Sequence, residues 1–304
     1  MKLYFKVPPE ADGMLLRGFL RRCSVSTDLS RAVKFRGSGF FADGEPVLAN
    51  RRVYPGQTVS FELPPEGEGV APQPEIPVKV VYEDAFAVVL EKPPQLAVHP
   101  TLNYPGGTLA NGYAAWAAAH GHSPVFRPVN RIDKDTSGLL VVAKDDATHI
   151  GLSQQMAVHS VERAYQTVVY GGFAQDEGFV EANLGRSKTD RKKMAVYPAS
   201  EPHTKYAYTG YKVLERLGEF TLLECRLKTG RTHQIRVHMA SIHHPVAGDP
   251  VYGPHNCITS LHGQCLHAKT LGFIHPITGE QLRFDSELPD YFTHFLATLR
   301  RKNT

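Results

Sequence analysis

The chain has 304 residues, of which 42% are hydrophobic and 21% are charged, and its formal net charge is +4. This composition is typical of a globular protein with an ample core, and no apolar run approaches the roughly 18 residues of a transmembrane helix. The mild positive charge permits an anionic partner. The four cysteines show no paired spacing and the first residues lack the apolar segment of a secretory signal. We therefore expect a cytoplasmic protein with reduced thiols, a monomer by default.

The first part of the chain predicts a small α+β module at residues 12–62. Apolar residues near its start recur at helical spacing, with arginines on the other faces of the helix, and a second short helix is expected at 28–36. Two strands, GFFAD and TVSFEL, follow with turn signals between them. Basic helices on a small sheet suit RNA docking, although a solvated basic surface explains the charge equally well.

Residues 63–77, LPPEGEGVAPQPEIP, are rich in proline and glycine and show no hydrophobic periodicity. Such a segment is typical of a semi-extended linker, so we place the domain boundary here and the main domain at 78–298.

The main domain is predicted to be α+β with a mostly antiparallel sheet, because strands outnumber helices and several are neighbours in sequence. The predicted elements are, in chain order, strands at VKVVYED and AFAVVLEKP, a helix at 108–121, a strand at 139–144, a helix near 146–161, a strand at 163–172, a long hairpin at 205–230, a short amphipathic helix at 231–242, a strand at QLRFD and a terminal helix at PDYFTHFLATLRRK.

The segment VNRIDKDTSG, residues 129–138, carries the strongest chemical signal. It sets Asp133 two residues after Arg131, and the sequence at 136–138 predicts a turn that holds the aspartate in place. The apolar run LLVVA follows and predicts a buried strand. Charged side chains at the rim of a buried strand are costly unless they are paired or used.

Four segments in a fixed order resemble the RluA-type pseudouridine synthases, which isomerise specific uridines in ribosomal or transfer RNA. They are VHPTLNYPGGTLAN, VNRIDKDTSGLLVVAKD, RAYQTVVYGG and LKTGRTHQIRVHMASIHHPVAGDPVYG. The resemblance implies a bent, mostly antiparallel sheet flanked by helices with a central active-site cleft. The N-terminal module is similar to the alphaL-type motif, an RNA-binding unit like that of ribosomal protein S-four.

The resemblance also implies roles for individual residues. Asp133 is the expected catalyst, and three routes fit it: attack on the pyrimidine ring, attack on the anomeric carbon, or removal of the 2′ proton of the sugar. Each route needs an ionised carboxylate, and Arg236 matches the arginine that pairs with it. Tyr165 matches the tyrosine beside the target base, and Ile235 the apolar floor of the uracil pocket. Arg131 matches a residue thought to fill the space left by the flipped nucleotide.

Three residues around the aspartate differ from the commonest family pattern. Asn130 stands where histidine is frequent, Ile132 where leucine is frequent, and Lys134 where arginine is frequent. Because the aspartate and its arginine are kept, these differences bear on the identity of the substrate more than on activity.

A second basic element lies at 185–196, GRSKTDRKKMAV, and is expected to form a loop between strands. Basic loops suit contacts to phosphates, which dominate the affinity of proteins for nucleic acids. The candidate RNA-binding residues are Lys188, Arg191, Lys192 and Lys193.

Other kinds of site fit less well. The histidines and cysteines at 255–268 do not form the tight pairs of structural zinc sites, so no metal and no cofactor is expected. A serine hydrolase is disfavoured because no G-x-S-x-G elbow occurs and no base lies near Ser137 in the sequence. The competing hypothesis is a non-catalytic RNA-binding protein, which need not keep Asp133, Arg236 and Tyr165. The expected partner is RNA, ribosomal rather than transfer RNA because of the accessory module.

Overall fold

The computed structural model describes residues 1–67, 69–101, 104–190, 193–261 and 263–303. The helices in this part of the chain are α1 (Leu16–Arg22), α2 (Thr27–Arg36), α3 (Leu109–Ala119), α4 (Asp146–Ala157), α5 (Gln234–Ser241) and α6 (Asp290–Lys302). The strands are β1 (Lys2–Lys6), β2 (Phe40–Ala42), β3 (Glu45–Val47), β4 (Thr58–Glu62), β5 (Lys79–Glu83), β6 (Ala87–Lys92), β7 (Arg127–Pro128), β8 (Ser137–Ala143), β9 (Glu162–Tyr170), β10 (Glu177–Arg186), β11 (Met194–Tyr197), β12 (Lys205–Leu217), β13 (Phe220–Leu227), β14 (Leu266–Ile274) and β15 (Gln281–Asp285). Among these helices, none combines the length and the apolar character that crossing a bilayer requires.

The main domain is built on an eleven-stranded sheet with the order β11-β10-β12-β13-β9-β14-β8-β6-β5, to which β15 is added beside β14 and β7 beside β8. Within the described chain the pairing of β8 with β14 is parallel, and the other pairings between named strands are antiparallel. The predicted α+β fold with a mostly antiparallel sheet is confirmed. The largest apolar cluster joins β6, β8, β9 and β13 to α3 and α5.

The turn in the segment at 129–138 lies slightly earlier than predicted. It spans residues 133–136, where the amide of Thr136 donates to the carbonyl of Asp133 at 3.2 Å. Ser137 and Gly138 already belong to β8. Gly138 adopts a φ of +111°, and a Cβ atom there would lie 2.3 Å from the carbonyl oxygen of Ala268 on β14. The glycine is therefore required by the close approach of a parallel strand rather than by a turn.

The N-terminal residues form a separate four-stranded sheet with the order β1-β4-β2-β3. The sheet includes β1, ahead of the predicted start at residue 12, because Lys2–Lys6 pairs along the whole of β4. Helices α1 and α2 cover this sheet and bury an apolar cluster that also takes in Ile150 of α4. The side-chain amide nitrogen of Gln154, on the same helix, donates a hydrogen bond to the carbonyl of Cys23 at 3.3 Å.

The proline-rich segment at 63–77 contains no helix or strand among its described residues, and it is held against the main domain. Glu66 pairs with the buried Arg127 at 2.8 Å. The side-chain oxygen of Gln73 accepts a hydrogen bond from the amide of Gly107 at 2.7 Å. The segment is thus anchored to the main domain at residues 66 and 73.

Substituting alanine for Gly138 is expected to lower the free energy of unfolding by about 2–4 kcal/mol, because the new Cβ adds a backbone collision to the cost of a positive φ. Gly279 is a matched control: its φ is also positive, at +73°, but no atom lies within 4 Å of a Cβ placed there. Denaturant unfolding of Gly138→Ala and Gly279→Ala measures the two costs. Equal costs for the two variants would mean that β14 does not constrain position 138.

Candidate active site

A cavity of about 500 Å³ opens beside the junction of β8, β9 and β14. Its lining includes the five residues to which the resemblance assigns roles at the reacting nucleotide: Arg131, Asp133, Tyr165, Ile235 and Arg236. They come from three separate parts of the chain, namely the turn before β8, the strand β9 and the helix α5. The fold therefore brings together in one cleft the residues that the motifs had placed far apart in sequence.

The centre of the site is an arginine bound to two carboxylates. Arg236 donates from Nη1 to Oδ2 of Asp133 at 2.9 Å, from Nε to Oδ2 of Asp249 at 2.7 Å, and from Nη2 to Oδ1 of Asp249 at 2.9 Å. Asp249 is fully buried, whereas the Asp133 side chain is 26% exposed. The two-pronged bond to Asp249 fixes the plane of the guanidinium, and this orients its remaining nitrogen towards Asp133.

The electrostatics favour a permanent charge on Arg236. Burial acts to lower the pKa of this group, but hydrogen bonds and charge attraction from Asp249 and Asp133 outweigh burial and raise it above its ordinary value. The ring of Tyr252 lies 5.2 Å below the guanidinium and adds a cation–π contact. Asp249 also accepts the amides of Val251 and Tyr252, so its own position is fixed by the backbone that follows it.

Helix α5 is locked on the sheet by polar contacts rather than by apolar packing alone. The side chain of Gln234 donates to the carbonyl of Tyr208 and to Oγ1 of Thr209, both at 3.0 Å. The same Thr209 hydroxyl lies 2.9 Å from Nδ1 of His238, whose pKa is lowered to about 4 by burial. His238 is therefore neutral at pH 7 and serves as a structural contact. These anchors set the rotation of α5 and hence the direction of Arg236.

The other three of these five residues differ in how far they are exposed. Tyr165 is buried on β9, and burial raises the pKa of its hydroxyl, so the phenol stays protonated. Ile235 is also buried and precedes Arg236 on α5. Arg131 is exposed at the cavity edge.

Asn130, which stands where histidine is frequent in the family, has a structural role. It is buried, and its side chain spans two points of β8: its oxygen accepts from the amide of Val141 at 2.9 Å, and its nitrogen donates to the carbonyl of Leu139 at 3.4 Å. The residue thus fixes the chain just before Arg131 and Asp133 to the strand that follows them.

Lys92 is a second support that the sequence did not single out. It is fully buried at the end of β6 and donates to the carbonyls of Pro93 at 2.7 Å and Lys134 at 2.8 Å. Because Lys134 follows Asp133 directly, the lysine holds the turn that carries the carboxylate. Burial lowers the pKa of Lys92 to about 7.

The basic element at 185–196 lies at the end of a hairpin rather than in the cavity lining. Of its four candidate residues, Lys188 pairs with Glu201 at 2.8 Å, Lys193 lies in the turn between β10 and β11, and Arg191 and Lys192 lie outside the described residues. A chain of hydrogen bonds connects the hairpin with the cavity: the amide of Met194 donates to the Tyr252 hydroxyl, which lies 2.9 Å from Nδ1 of His233. His233 lines the cavity.

The structure changes one part of the argument against a serine hydrolase. Sequence proximity offered no base near Ser137, but the fold places Nδ1 of His267 2.9 Å from its hydroxyl. Both side chains are buried and neither lines the cavity. Burial lowers the pKa of His267 to about 4. The pair is inaccessible to a substrate in this conformation and reads as a contact between β8 and β14.

Comparisons with known proteins agree with this site. A family model described as RNA pseudouridylate synthase matches residues 87–241. The chain is 44% identical over 263 residues to the uncharacterized RNA pseudouridine synthase YlyB of Bacillus subtilis, covering 85% of each chain. It is 36% identical over 307 residues to ribosomal large subunit pseudouridine synthase D of Xanthomonas campestris, covering 97% of this chain and 91% of the relative. The solved human RNA pseudouridylate synthase domain containing 4 has a TM-score of 0.60 at 24% identity, over 73% of this chain and 93% of that one, and so shares the fold.

The chain belongs to the RNA pseudouridylate synthase family, in agreement with the RluA-type resemblance of its motifs. It is an isomerase that converts uridine in RNA to pseudouridine. The competing expectation of a non-catalytic RNA-binding protein is therefore not supported.

Replacing Lys92 with methionine is expected to change how stability depends on pH. Between about pH 7 and its ordinary pKa, Lys92 binds a proton in the unfolded chain but not in the native protein, so raising the pH favours the native state. The free energy of unfolding of the wild type should therefore rise relative to Lys92→Met by up to about 1.4 kcal/mol per pH unit between pH 7 and 10.

Urea unfolding at several pH values measures the difference, and contributions of other groups cancel between the two proteins. Lys302→Met removes a lysine whose side chain is exposed, and it therefore controls for the loss of a lysine in general. Parallel curves for the wild type and Lys92→Met would contradict the assigned environment of Lys92.

Proposed function

We propose that this protein converts specific uridines of large-subunit ribosomal RNA to pseudouridine, with Asp133 as the catalytic residue. The observation that carries the proposal is the contact between Arg236 and Asp133 inside the cavity. The relatives named ribosomal large subunit pseudouridine synthase D support the choice of RNA, since one of them is 46% identical over 243 residues and comes from Zymomonas mobilis.

The geometry around Asp133 suits a reaction in which a carboxylate acts on the bond between ribose and uracil. Oδ2 accepts the hydrogen bond from Arg236, and no described side chain donates to Oδ1. One oxygen is thus held, while the other accepts no hydrogen bond from a described side chain and is available to the substrate. Attack on the pyrimidine ring, attack on the anomeric carbon and removal of the 2′ proton all need such an oxygen, and the three routes stay open.

The other lining residues would hold the nucleotide once it has left its stack. Ile235 offers an apolar surface to one face of the uracil, and Tyr165 bounds the site from β9. Arg131, exposed at the edge, is in a position to enter the space that the nucleotide vacates. Taking a base out of a stem costs a few kcal/mol, and these contacts offset that cost.

RNA outside the cleft would be bound by two basic regions. The basic element at 185–196 carries Lys188, Arg191, Lys192 and Lys193, and Met194 of this element contacts the cavity-lining His233 through the Tyr252 hydroxyl. The module at 12–62, ahead of the segment at 63–77 and the catalytic domain at 78–298, carries exposed arginines on α1, including Arg17 and Arg21. We assign to both regions contacts with phosphates.

The catalytic assignment predicts a loss of product without a loss of fold. In cells that lack the protein, the wild type should restore pseudouridine at one or more positions of ribosomal RNA, by carbodiimide-based mapping, whereas Asp133→Asn should restore none. The amide cannot serve as nucleophile or base, so the rate should fall by at least about 10⁴-fold.

Asp135→Asn is the matched control, because Asp135 lies two residues away and does not line the cavity. It should behave as the wild type. Full restoration by Asp133→Asn would refute the catalytic role, and restoration confined to transfer RNA would refute the ribosomal target.

The docking role of the N-terminal module can be tested in the full-length chain. Replacing Arg17 and Arg21 together with glutamine should weaken binding to the substrate RNA and flatten its salt dependence, because each lost phosphate contact lowers the slope by nearly one. Circular dichroism checks the fold. The same two-charge change at Arg301 and Lys302, exposed at the end of α6, is the control. Equal effects of the two double variants would argue against specific docking through α1.

A further inference from the structure

Three arginines are buried in the part of the chain that the structure describes: Arg127, Arg163 and Arg236. Two of them are compensated by a pair of carboxylates each. Arg127 binds Asp146 and Glu66, and Arg236 binds Asp249 and Asp133. Arg163 has no acidic partner among the described residues, although it is only 6% exposed.

The contacts of Arg163 leave most of its donors unused. Nη2 donates to the carbonyls of Leu227 at 3.4 Å and Lys228 at 3.1 Å, while the buried Nε has no partner. Burial lowers the pKa of the group; Tyr165 acts to raise it and the nearby Arg231 to lower it further. A buried charge without a counter-charge is costly, and such groups concentrate at functional sites.

Arg163 lines the same cavity as Asp133, so its charge is within reach of a substrate. Gly230, which also lines the cavity, keeps this charge uncovered: a Cβ atom at position 230 would lie 2.7 Å from Nη1 of Arg163. No described residue accepts a hydrogen bond from Nη1. The guanidinium therefore presents an open donor edge to the cavity.

The surrounding charge indicates what kind of group this edge would bind. The cavity lining contains one carboxylate and five lysine or arginine side chains, namely Arg131, Lys134, Arg163, Arg231 and Arg236. A neutral uracil carbonyl would leave the charge of Arg163 uncompensated, whereas a phosphodiester would supply both the negative charge and paired acceptor oxygens. Arg163 and Tyr165 lie two residues apart on one face of β9, about 7 Å along the strand. That spacing is comparable to the distance from the base to the phosphate of one nucleotide.

We propose that Arg163 is a substrate-binding residue that receives a phosphodiester group flanking the target uridine, so that the RNA supplies the counter-charge that the protein omits. This inference rests on the proposed function of the cavity. The phosphate on the 5′ side and the phosphate on the 3′ side share this chemistry, and the experiment distinguishes them.

The test uses a synthetic RNA stem-loop that carries a uridine found by the mapping experiment. In two versions a neutral methylphosphonate replaces the phosphate on the 5′ or the 3′ side of this uridine, and each has a control RNA with the same deoxynucleotide and an ordinary phosphate. Dissociation constants are measured for the wild type, Arg163→Gln and Arg163→Lys. Wild-type binding should weaken roughly tenfold or more for one of the two replacements, as for the loss of a charge-assisted hydrogen bond.

Arg163→Gln should lose as much affinity as the critical methylphosphonate causes in the wild type, and combining the two changes should cause no further loss. Arg163→Gln should bind the unmodified RNA roughly tenfold or more weakly, and the critical methylphosphonate should weaken it no further, because both changes remove the same contact. Arg163→Lys, which keeps the charge, should remain sensitive to the replacement. Arg127→Gln is the matched control: it removes a buried but compensated arginine outside the cavity, so it should show the wild-type sensitivity even if it is less stable.

Two results would overturn the inference. One is wild-type affinity that is unaffected by either methylphosphonate, which needs no variant and is informative even if Arg163→Gln fails to fold. The other is a sensitivity in Arg163→Gln equal to that of the wild type. Either result leaves the proposed function standing as long as the wild type forms pseudouridine in the unmodified stem-loop, whereas absence of that product contradicts the proposed function itself.

Discussion

The rest of the site depends on the guanidinium of Arg236, which binds two carboxylates at once. Arg236 uses two nitrogens on the buried Asp249 and one on Asp133. The first pair fixes the arginine, and the arginine then fixes the catalytic candidate. Removing Asp249 would leave a buried cation with a single partner, whereas removing Asp133 leaves a satisfied ion pair. In the proposed mechanism, Asp249 therefore contributes to stability and Asp133 to chemistry, and both bind the same cation.

The fold supplies this arrangement through polar contacts in and around the cavity wall. Gln234 and His238 fasten α5 to β12, Asn130 fastens the chain before Asp133 to β8, and Lys92 fastens the chain after it. Polar anchors of this kind define position more narrowly than apolar packing, because each has a preferred direction. The turn that carries Asp133 is therefore held on both sides, and this restricts the directions that its carboxylate can take, as the proposed catalytic role requires.

Local pattern was sufficient for the elements that carry their own signals. The hairpin of β12 and β13 alternates and turns near Gly218, and α4 is capped by Asp145, whose side chain accepts a hydrogen bond from the backbone amide of Thr148. Strands β10 and β14 were not predicted, since glycines interrupt the first and buried polar residues such as His267 interrupt the second. Asp249 was missed for a different reason: its partner is 13 residues away across a loop, and only the fold shows that they meet.

The contact between Arg236 and Asp133 affects how the other charges of the cavity can act. An enzyme acting on RNA must attract a polyanion while presenting an anionic catalyst to it, and these demands oppose each other. Closing Arg236 between two carboxylates gives the catalytic candidate its own cation at short range. The other basic side chains of the lining need not serve Asp133, so their field can act on the phosphates of the substrate. Arg163 is the clearest example, because it is buried on the strand that bears Tyr165 and has no acidic partner among the described residues.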